Sequence, residues 1–370
     1  MNNELQILFA PVLRSEGWIS IDLQQQNILE ALRAHAPEVS ITILQPPEHG
    51  SRLPLVRPLL RDMLYPRLIR ARSATLPRGT LLHIADHSYG HLCAAHSPCV
   101  INCNDLHHHV RPELPPRSLA RWKKRIGTMR HAAKIITVSK HLSEEVRHYL
   151  QLPAHQVAAL PGAVDHDVFR STTIESATHF LPALAALRSD HLLVLNIGSN
   201  IERKNLPTVV RALHLLKTEH HLPVKLVKVG PPLLQSETRA LIDSLGMQQD
   251  VIDLGVLTPP QVAAACTLCH ALSFASFYEG FGRPTLEAQA CELPCVLSDA
   301  SCMREVGADG ALYHVPADHE QLAVLLEQAM TDQTTRSRLI AAGLRNAAAY
   351  TWKNYALSLL GIYRDAAASA

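Results

Sequence analysis

The stretch FYEGFGRPTLEAQA, residues 277–290, decides the fold of this chain. It follows the short apolar run ALSFAS, which is typical of a buried strand. Gly280 and Gly282 allow a loop backbone to approach a ligand closely. Pro284 suits the first turn of a helix, and the free N–H groups at such a helix start attract anions. The stretch therefore predicts a strand, a ligand-binding turn and a helix.

Two carboxylates, Glu279 and Glu287, flank this predicted anion site. A carboxylate beside a phosphate is repelled by the phosphate itself. Hydroxyl groups of sugars on either side of the phosphate explain both residues better, because a carboxylate accepts their hydrogen bonds. The alternative is a tight turn between strand and helix with two solvated carboxylates.

A second motif, LNIGSNIERKN at residues 195–205, lies upstream of a predicted helix, Leu206–Leu216. Gly198 ends a strand there and leaves room for a phosphate. Arg203 and Lys204 are adjacent cations that could stabilise the charge on a departing diphosphate. Alone, the pair is more simply a solvated surface feature. Together with the glutamate motif, it indicates a diphosphate site.

The whole chain alternates short apolar runs with amphipathic stretches such as Ile21–Ala34 and Gln321–Met330. Such a pattern predicts parallel sheets covered by helices, and two series of runs predict two doubly wound α/β domains. We expect domains at 1–175 and 176–350, a linker near Ser171–Asp190, and a C-terminal helix, Thr351–Ala368, that returns to the first domain. The predicted strand runs are LQILFAPV, VSITILQ, GTLLHIAD, CVINCND, AKIITVS and HQVAALPG, then LLVLNIGS, VKLVKVG, DVIDLGV, ALSFAS and PCVLSD.

Length and composition agree with two globular domains. The chain has 370 residues, of which 47% are hydrophobic and 18% charged, so it is too apolar for a disordered protein. No uncharged apolar run approaches the roughly 18 residues that a membrane span needs, and we expect no signal peptide. The 8 cysteines suggest cytosolic thiols rather than a disulfide framework. We therefore expect a cytoplasmic protein.

Positive charge is concentrated in the first half of the chain. Residues 1–170 hold 20 lysines and arginines against 14 acidic residues. Most of the excess lies in two segments, Arg52–Arg78 and Arg111–Lys134, and such segments attract phosphates, anionic lipids or nucleic acid. Apolar residues recur at helical spacing in the first segment, and Trp122 lies within the second. This pattern predicts a helix on an anionic membrane surface. The alternative is a helix that packs its leucines inward and solvates its arginines.

The motifs in this order resemble the retaining glycosyltransferases of the GT-B fold in glycosyltransferase family four. Glu279 and Glu287 match the family's E-x7-E signature, and Arg203–Asn205 matches its diphosphate-binding segment. AKIITVSKHLSEEV (133–146) and VAALPGAVDHDVF (157–169) match two further segments. The resemblance extends from about residue 5 to about residue 350, and it implies two Rossmann-like domains that face each other across a cleft.

The resemblance implies a donor site in the second domain. Glu279 would contact the transferred sugar, Glu287 the ribose of the nucleotide, and Arg203 with Lys204 the diphosphate. The implied neighbours of the donor are Gly198, Gly280, Phe281, Gly282, Thr285 and Leu286.

The first domain would bind the acceptor, and here the chain departs from the family pattern. The loop Arg14–Ile19 has one glycine, Gly17, where relatives often have two, and Trp18 beside it would narrow the acceptor side. Asn104 stands where many relatives have a histidine, so proton transfer would fall to Asp105, to the diphosphate oxygen, or to His107–His109. Ser139 is expected to cap a helix and, secondarily, to contact ligand.

The predicted function is transfer of a mannose- or glucose-type hexosyl group, with retention, from a GDP- or UDP-linked donor to a glycan or lipid-linked acceptor in cell-envelope polysaccharide or lipopolysaccharide synthesis. An anionic membrane surface on the cytoplasmic side is a further expected partner, and no nucleic-acid partner, cofactor or metal is expected. The alternatives are a sugar-nucleotide epimerase and a non-catalytic binding protein, which Asn104 would favour.

Two patterns imitate metal sites. Asp165 and Asp167 have the spacing of a Mg²⁺-binding pair, but the GT-B pattern needs no metal. Four cysteines have spacings that resemble zinc ligands, namely Cys266, Cys269, Cys291 and Cys295. Their apolar neighbours favour buried free thiols.

Overall fold

The computed structural model describes residues 5–46, 53, 56–110, 114–233 and 237–368, and of Ile19 only the backbone. Part of each basic segment therefore lies outside the described residues, including Arg52 and Leu55 in the first segment and Arg111 in the second.

The chain forms two compact units. The first comprises Met1–Gly162 with Trp352–Ala370, and the second comprises Ala163–Thr351. The segment expected to be a linker, Ser171–Asp190, instead forms two helices of the second unit, Ile174–Phe180 and Pro182–Leu187. The local sequence explains them, because the Thr173 hydroxyl caps the first helix and Pro182 lies in the first turn of the second.

Each unit contains one six-stranded sheet in which every strand pair is parallel. The strand order is β2-β1-β3-β4-β5-β6 in the first sheet and β12-β11-β10-β7-β8-β9 in the second. The expected α/β class, with one parallel sheet in each of two units, is confirmed. The strands are β1 (Leu5–Ala10), β2 (Val39–Ile43), β3 (Leu81–Ile84), β4 (Cys99–Cys103), β5 (Lys134–Thr137), β6 (Val157–Ala159), β7 (Leu192–Ile197), β8 (Val224–Val229), β9 (Val251–Asp253), β10 (Ala271–Phe274), β11 (Cys295–Ser298) and β12 (Ala311–His314).

The sequence patterns missed one strand, β12. It pairs with β11 at the edge of the second sheet, and its four residues, ALYH, are only half apolar. An edge strand is covered on fewer sides than a central one, so its sequence carries a weaker apolar signal.

Helices connect the strands in both units. No helix among the described residues is long and apolar enough to cross a membrane. The first unit has helices Ile19–His35, Val56–Leu59 continuing through a π-turn (Leu60–Leu64) into Tyr65–Ser73, His107–Val110, Pro116–Thr128, Lys140–Leu150 and Trp352–Ala368. The remaining helices of the second unit are Leu206–Thr218, Glu237–Ser244, Pro259–Leu268, Arg283–Ala290, Met303–Gly307, His319–Thr331 and Gln333–Ala347.

A buried polar contact connects the C-terminal helix to the first sheet. His83 of β3 lies between two partners, with Nδ1 2.5 Å from the Tyr363 hydroxyl and Nε2 3.1 Å from Asn102 Oδ1. All three side chains are buried. Burial lowers the pKa of His83 to about 4, although the hydrogen bond to Asn102 opposes the shift. The ring is therefore neutral in the folded protein at neutral pH.

This neutral histidine predicts that acid destabilises the first unit. The unfolded chain binds a proton near pH 6.5 and the folded chain only near pH 4, so stability falls as pH drops through that interval. From pH 7 to pH 5 we expect His83 to account for about 2 kcal/mol of the loss. Urea unfolding followed by tryptophan fluorescence measures it, because the 3 tryptophans, at 18, 122 and 352, all lie in the first unit.

The variant His83→Gln should show a smaller loss between the two pH values than the wild type. The exposed His148→Gln variant is the matched control and should behave like the wild type. Equal losses in wild type and His83→Gln would show that His83 is not the acid-sensitive group.

Candidate functional site

The second sheet reverses its strand order between β7 and β10, which are hydrogen-bonded neighbours. Ligands of open α/β sheets bind where two such strands end. Gly198 directly follows β7, and Ser276 and Glu279 lie in the loop that follows β10. The two sequence motifs, far apart along the chain, therefore meet at the expected position.

Two cations and one carboxylate form an ion cluster at this position. Lys204 Nζ lies 2.6 Å from Glu279 Oε1, and Arg203 Nη1 lies 3.4 Å from Glu279 Oε2. Arg203 Nη1 also donates to the backbone carbonyl of Tyr278. The Arg203 and Lys204 side chains are 16% and 17% exposed, so both cations are largely desolvated and remain accessible in part. The cluster has two positive charges and one negative charge.

Glu279 is ionised in this cluster. Burial alone would raise its pKa, but the charges of Lys204 and Arg203 outweigh burial and hold the pKa below its usual value. The Ser276 hydroxyl donates to Glu279 Oε1 over 2.7 Å. The backbone N–H of Glu279 donates to the Ser301 hydroxyl. These contacts fix the carboxylate against the two cations.

Asn205 fixes the backbone that carries the cations, a role that sequence reasoning did not identify. It has a left-handed backbone with φ 51°, which asparagine tolerates better than most residues. Its buried amide donates to the carbonyls of Ala275 and Pro316. The helix Leu206–Thr218 starts immediately afterwards and buries Leu206, Val209 and Leu213 in the core. The cations are thus attached to backbone that two side-chain hydrogen bonds and a core helix hold in place.

Lys228 was also missed, although a lysine inside the apolar run VKLVKVG is a visible signal. Its side chain is fully buried, and Nζ donates to the carbonyls of Gly198 and Val229. Burial lowers the pKa of Lys228 to about 8; the charge of Asp253 opposes this shift and that of Lys204 adds to it. A Cβ atom on Gly230 would lie 2.2 Å from the Gly198 carbonyl oxygen, so only glycine fits there. Through these hydrogen bonds Lys228 stabilises the turn at Gly198 after β7 and the turn at Gly230 after β8.

Glu287 lies on the helix Arg283–Ala290, apart from the ion cluster. Arg283 Nε is 2.9 Å from Glu287 Oε1. Burial raises the pKa of Glu287, although the charge of Arg283 opposes the shift. Gly282 precedes this helix with φ 83°, a conformation that favours glycine.

The residues expected beside Glu287 differ in what they offer a ligand. The amide of Thr285 already donates to the Gly282 carbonyl. The side chains of Thr285 and Leu286 are fully buried, and Phe281 is 9% exposed. Thr285 and Leu286 therefore serve the core with their side chains.

In the first unit, the loop with Gly17 and Trp18 follows β1 and leads into the helix Ile19–His35. The side chain of Glu16 holds this loop. Arg61 Nη1 is 3.0 Å and Arg57 Nη1 3.4 Å from its carboxylate, and the Tyr89 hydroxyl donates to it. Arg57 and Arg61 belong to the first basic segment, so two of its arginines are turned toward this loop.

Asn104 and Asp105 follow β4, and two residues that sequence reasoning missed, Asp86 and His87, follow the neighbouring strand β3. Asn104 Nδ2 donates to Asp86 Oδ2 over 2.8 Å, and His87 lies between the two aspartates. Asp86-His87 follows its strand run as directly as Asn104-Asp105 follows the next one. That parallel placement was the available signal.

Ser139 caps the helix Lys140–Leu150, as expected, by accepting a hydrogen bond from the amide of Leu142. The residue is fully buried, so the structure gives it no surface for the secondary ligand contact.

The two patterns that imitate metal sites have ordinary local environments. Asp165 Oδ1 accepts the amide of Asp167, and both residues are exposed. All 8 cysteines are buried free thiols. In the part of the chain that the structure describes, no three His, Cys, Asp or Glu side chains are grouped so that they could hold a metal ion.

The ion cluster predicts that Glu279 competes with an incoming anion for Lys204 and Arg203. Glu279→Gln removes that competition, so pyrophosphate should bind about tenfold more tightly to this variant than to the wild type. Isothermal titration calorimetry measures both affinities. Glu287→Gln is the matched control, since Glu287 pairs with Arg283, and its affinity should not change. Weaker binding by Glu279→Gln would contradict the proposed competition.

Comparison with known proteins agrees with the geometry. Residues 28–168 match the family described as Glycosyltransferase Family 4, and residues 182–345 match the family described as Glycosyl transferases group 1. The two matches follow each other with a short gap, residues 169–181, and together cover most of the chain.

Curated relatives include two mannosyltransferases of Escherichia coli. O-antigen chain mannosyltransferase B is 26% identical over 269 residues, which cover 72% of this chain and 70% of the relative. Serotype-specific mannosyltransferase WbdA is 28% identical over 240 residues, which cover 64% of this chain and only 29% of the relative. The matched part of this chain thus corresponds to less than a third of WbdA.

Solved structures have the same fold. Sucrose-phosphate synthase from Thermosynechococcus elongatus aligns with a TM-score of 0.77 at 19% identity, covering 99% of this chain and 100% of that one. HepE of Anabaena, solved in complex with UDP and glucose, aligns with a TM-score of 0.75 at 16% identity, covering 97% and 99%. The two family matches and the fold together identify the chain as a family-4-like glycosyltransferase with the GT-B fold.

Proposed function

We propose that this protein is a retaining hexosyltransferase. It transfers a mannose- or glucose-type sugar from a GDP- or UDP-linked donor to a glycan or lipid-linked acceptor in the synthesis of cell-envelope polysaccharide or lipopolysaccharide. The donor binds the second unit, expected at 176–350, and the acceptor binds the first, expected at 1–175 with 351–370.

The observation that carries this proposal is the ion cluster of Arg203, Lys204 and Glu279 at the end of β7 and β10. Its excess positive charge suits a diphosphate, which leaves with negative charge during transfer. At the turn that Lys228 holds, Gly198 has no side chain of its own and lies beside Lys204, so a phosphate can approach both. Glu287, held by Arg283, is an acceptor suited to the ribose hydroxyls.

The proposed reaction breaks the bond between the sugar's anomeric carbon and the diphosphate oxygen. A bond from the same carbon to the acceptor hydroxyl oxygen forms on the same face, and the hydroxyl proton passes to the departing diphosphate. Arg203 and Lys204 stabilise the diphosphate charge, and Glu279 accepts hydrogen bonds from the sugar. Two fixed cations can supply the charge stabilisation that a divalent metal gives other transferases, so we propose a metal-independent reaction.

Support for the type of sugar comes from the relatives that are mannosyltransferases. HepE was solved with UDP and glucose. The test therefore includes donors with guanine and with uracil, and with mannose and with glucose.

The donor is tested by thermal shift with a panel of GDP and UDP sugars, with and without EDTA. A ligand that binds only the folded state raises the melting temperature, here by about 5 °C near saturation, and EDTA should not change the shift. Lys204→Ala should lose the response to the nucleotide sugar and to the nucleoside diphosphate. The exposed Arg211→Ala variant controls for loss of a nearby cation and should respond like the wild type.

Product analysis separates the proposed reaction from its rivals. Incubation of the donor with a lipid-linked acceptor should yield a glycoside whose anomeric configuration, read by NMR, equals that of the donor. An altered sugar nucleotide formed without acceptor would indicate an epimerase. Binding of a donor with neither transfer nor hydrolysis would indicate a non-catalytic protein.

We also propose that the first unit docks on an anionic membrane surface. On the helix 56–73, Leu59 and Met63 are 56% and 50% exposed, and Arg67 and Arg70 are exposed on the following turns. Tyr65 and Ile69 are buried, and Arg57 and Arg61 bind Glu16. The apolar residues are thus free to enter a lipid interface while the arginines beyond them meet its headgroups.

Vesicle co-sedimentation tests this surface. We expect binding to phosphatidylglycerol vesicles and little binding to phosphatidylcholine vesicles. The double variant Leu59→Ser/Met63→Ser should bind about tenfold less, because two large apolar side chains no longer leave water. The matched control is Val256→Ser/Val324→Ser in the second unit, where both valines are more than half exposed. Equal binding by the two double variants would exclude this helix as the docking surface.

A further inference from the structure

A cluster of carboxylates and imidazoles lies at the carboxyl ends of β3 and β4 in the first unit. It consists of Asp86 and His87 after β3, and of Asn104, Asp105 and His107 after β4. Because the two strands are parallel neighbours, their ends lie side by side. The ion cluster of the second unit uses none of these residues.

Asp86 is the most deeply buried residue of the cluster. The residue is 1% exposed, and its carboxylate accepts hydrogen bonds from the Ser88 amide and hydroxyl and from Asn104 Nδ2. Burial alone would raise its pKa, but His87 and these hydrogen bonds outweigh burial and lower it. Asn104 is thereby committed to holding Asp86.

His87 connects the two aspartates. Its Nδ1 lies 3.2 Å from Asp86 Oδ2, and its Nε2 lies 3.9 Å from Asp105 Oδ1. Burial alone would lower the pKa of His87, but the charges of Asp86 and Asp105 raise it to about 9. The charge of Glu145, from the helix Lys140–Leu150, acts more distantly, on the Cys103 thiol beside the aspartates.

Asp105 is the more exposed of the two aspartates. Its side chain is 23% exposed, against 9% for His87 and 1% for Asp86. The same oxygen, Asp105 Oδ1, lies 2.7 Å from His107 Nδ1 and accepts a hydrogen bond from the backbone amide of His107. These contacts orient the Asp105 carboxylate, and His87 adds a positive charge beside it.

We propose that His87 is a positioning residue: as a buried imidazolium beside Asp105 it holds that carboxylate ionised, so that Asp105, oriented by His107, accepts a hydrogen bond from the acceptor hydroxyl. Asn104 contributes indirectly, because its amide donates to Asp86 and so holds that carboxylate beside His87. A protonated His87 is a poor base, so the hydroxyl proton still passes to the departing diphosphate. The role of Asp105 toward the acceptor rests on the proposed function, whereas the charge of His87 does not.

The charge is tested on the ligand-free protein by NMR titration of histidine side chains, with the His87 signal assigned by its absence in His87→Gln. We expect His87 to titrate near pH 9 in the wild type. Asp86→Asn removes one of the two facing carboxylates, so the midpoint should fall by more than one pH unit. A wild-type midpoint near that of a free histidine, or no change in Asp86→Asn, would overturn the proposal.

The positioning role is tested by the pH dependence of transfer. The kcat/KM of the wild type should fall at alkaline pH, and the inflection assigned to His87 should move to lower pH in Asp86→Asn and vanish in His87→Gln. Lys228 also deprotonates in this range, but it lies in the second unit and is the same in every variant. A merely structural His87 would lower activity equally at every pH, together with the melting temperature, and that result would refute the role.

The two experiments distinguish failure of the proposed function from failure of the proposed role of His87. If no donor and acceptor give transfer, the proposed function fails, while the titration still decides whether His87 is charged. If transfer occurs but the profiles of wild type and Asp86→Asn have the same shape, the proposed function stands and the positioning role of His87 fails.

Discussion

The contact between Glu279 and the pair Arg203 and Lys204 is the constraint on which the second unit's site depends. A buried charge without a partner costs several kcal/mol, so these groups must meet once the unit folds. They can meet because β7 and β10 are neighbours at the point where the sheet reverses its strand order. The cations are therefore in place before an anion arrives, and an incoming diphosphate would exchange with a carboxylate rather than reorganise a loop.

The first unit applies the same structural rule to different chemistry. The parallel neighbours β3 and β4 bring His87 between Asp86 and Asp105. Two carboxylates therefore lie beside one imidazole there. A site rich in carboxylates suits hydroxyl groups, whereas the cation-rich site of the second unit suits phosphates. This contrast agrees with the proposed division between acceptor and donor. Asn104 has a role in the first unit that its position in the sequence did not suggest, namely donation of a hydrogen bond to Asp86.

Charge pairing also decides which face of the helix 56–73 points outward. Its sequence offers both leucines and arginines at helical spacing, so the pattern alone is compatible with either face inside. Glu16, carried by the loop after β1, pairs with Arg57 and Arg61, and Tyr65 and Ile69 are buried, so Leu59 and Met63 face solvent. A carboxylate distant in sequence thus contributes to the character of this surface.

The sequence by itself determined the two parallel sheets and the two site motifs, because continuous apolar runs and glycine-proline turns are local signals. Buried strands such as β10 are mostly apolar, and the left-handed turn before the next helix favours glycine at Gly282. Only the tertiary structure decided which distant groups become partners, such as His87 with Asp105 or Lys228 with Gly198. Burial and neighbouring charge, which set the protonation of these groups, arise when strands pair side by side, and no local pattern records that pairing.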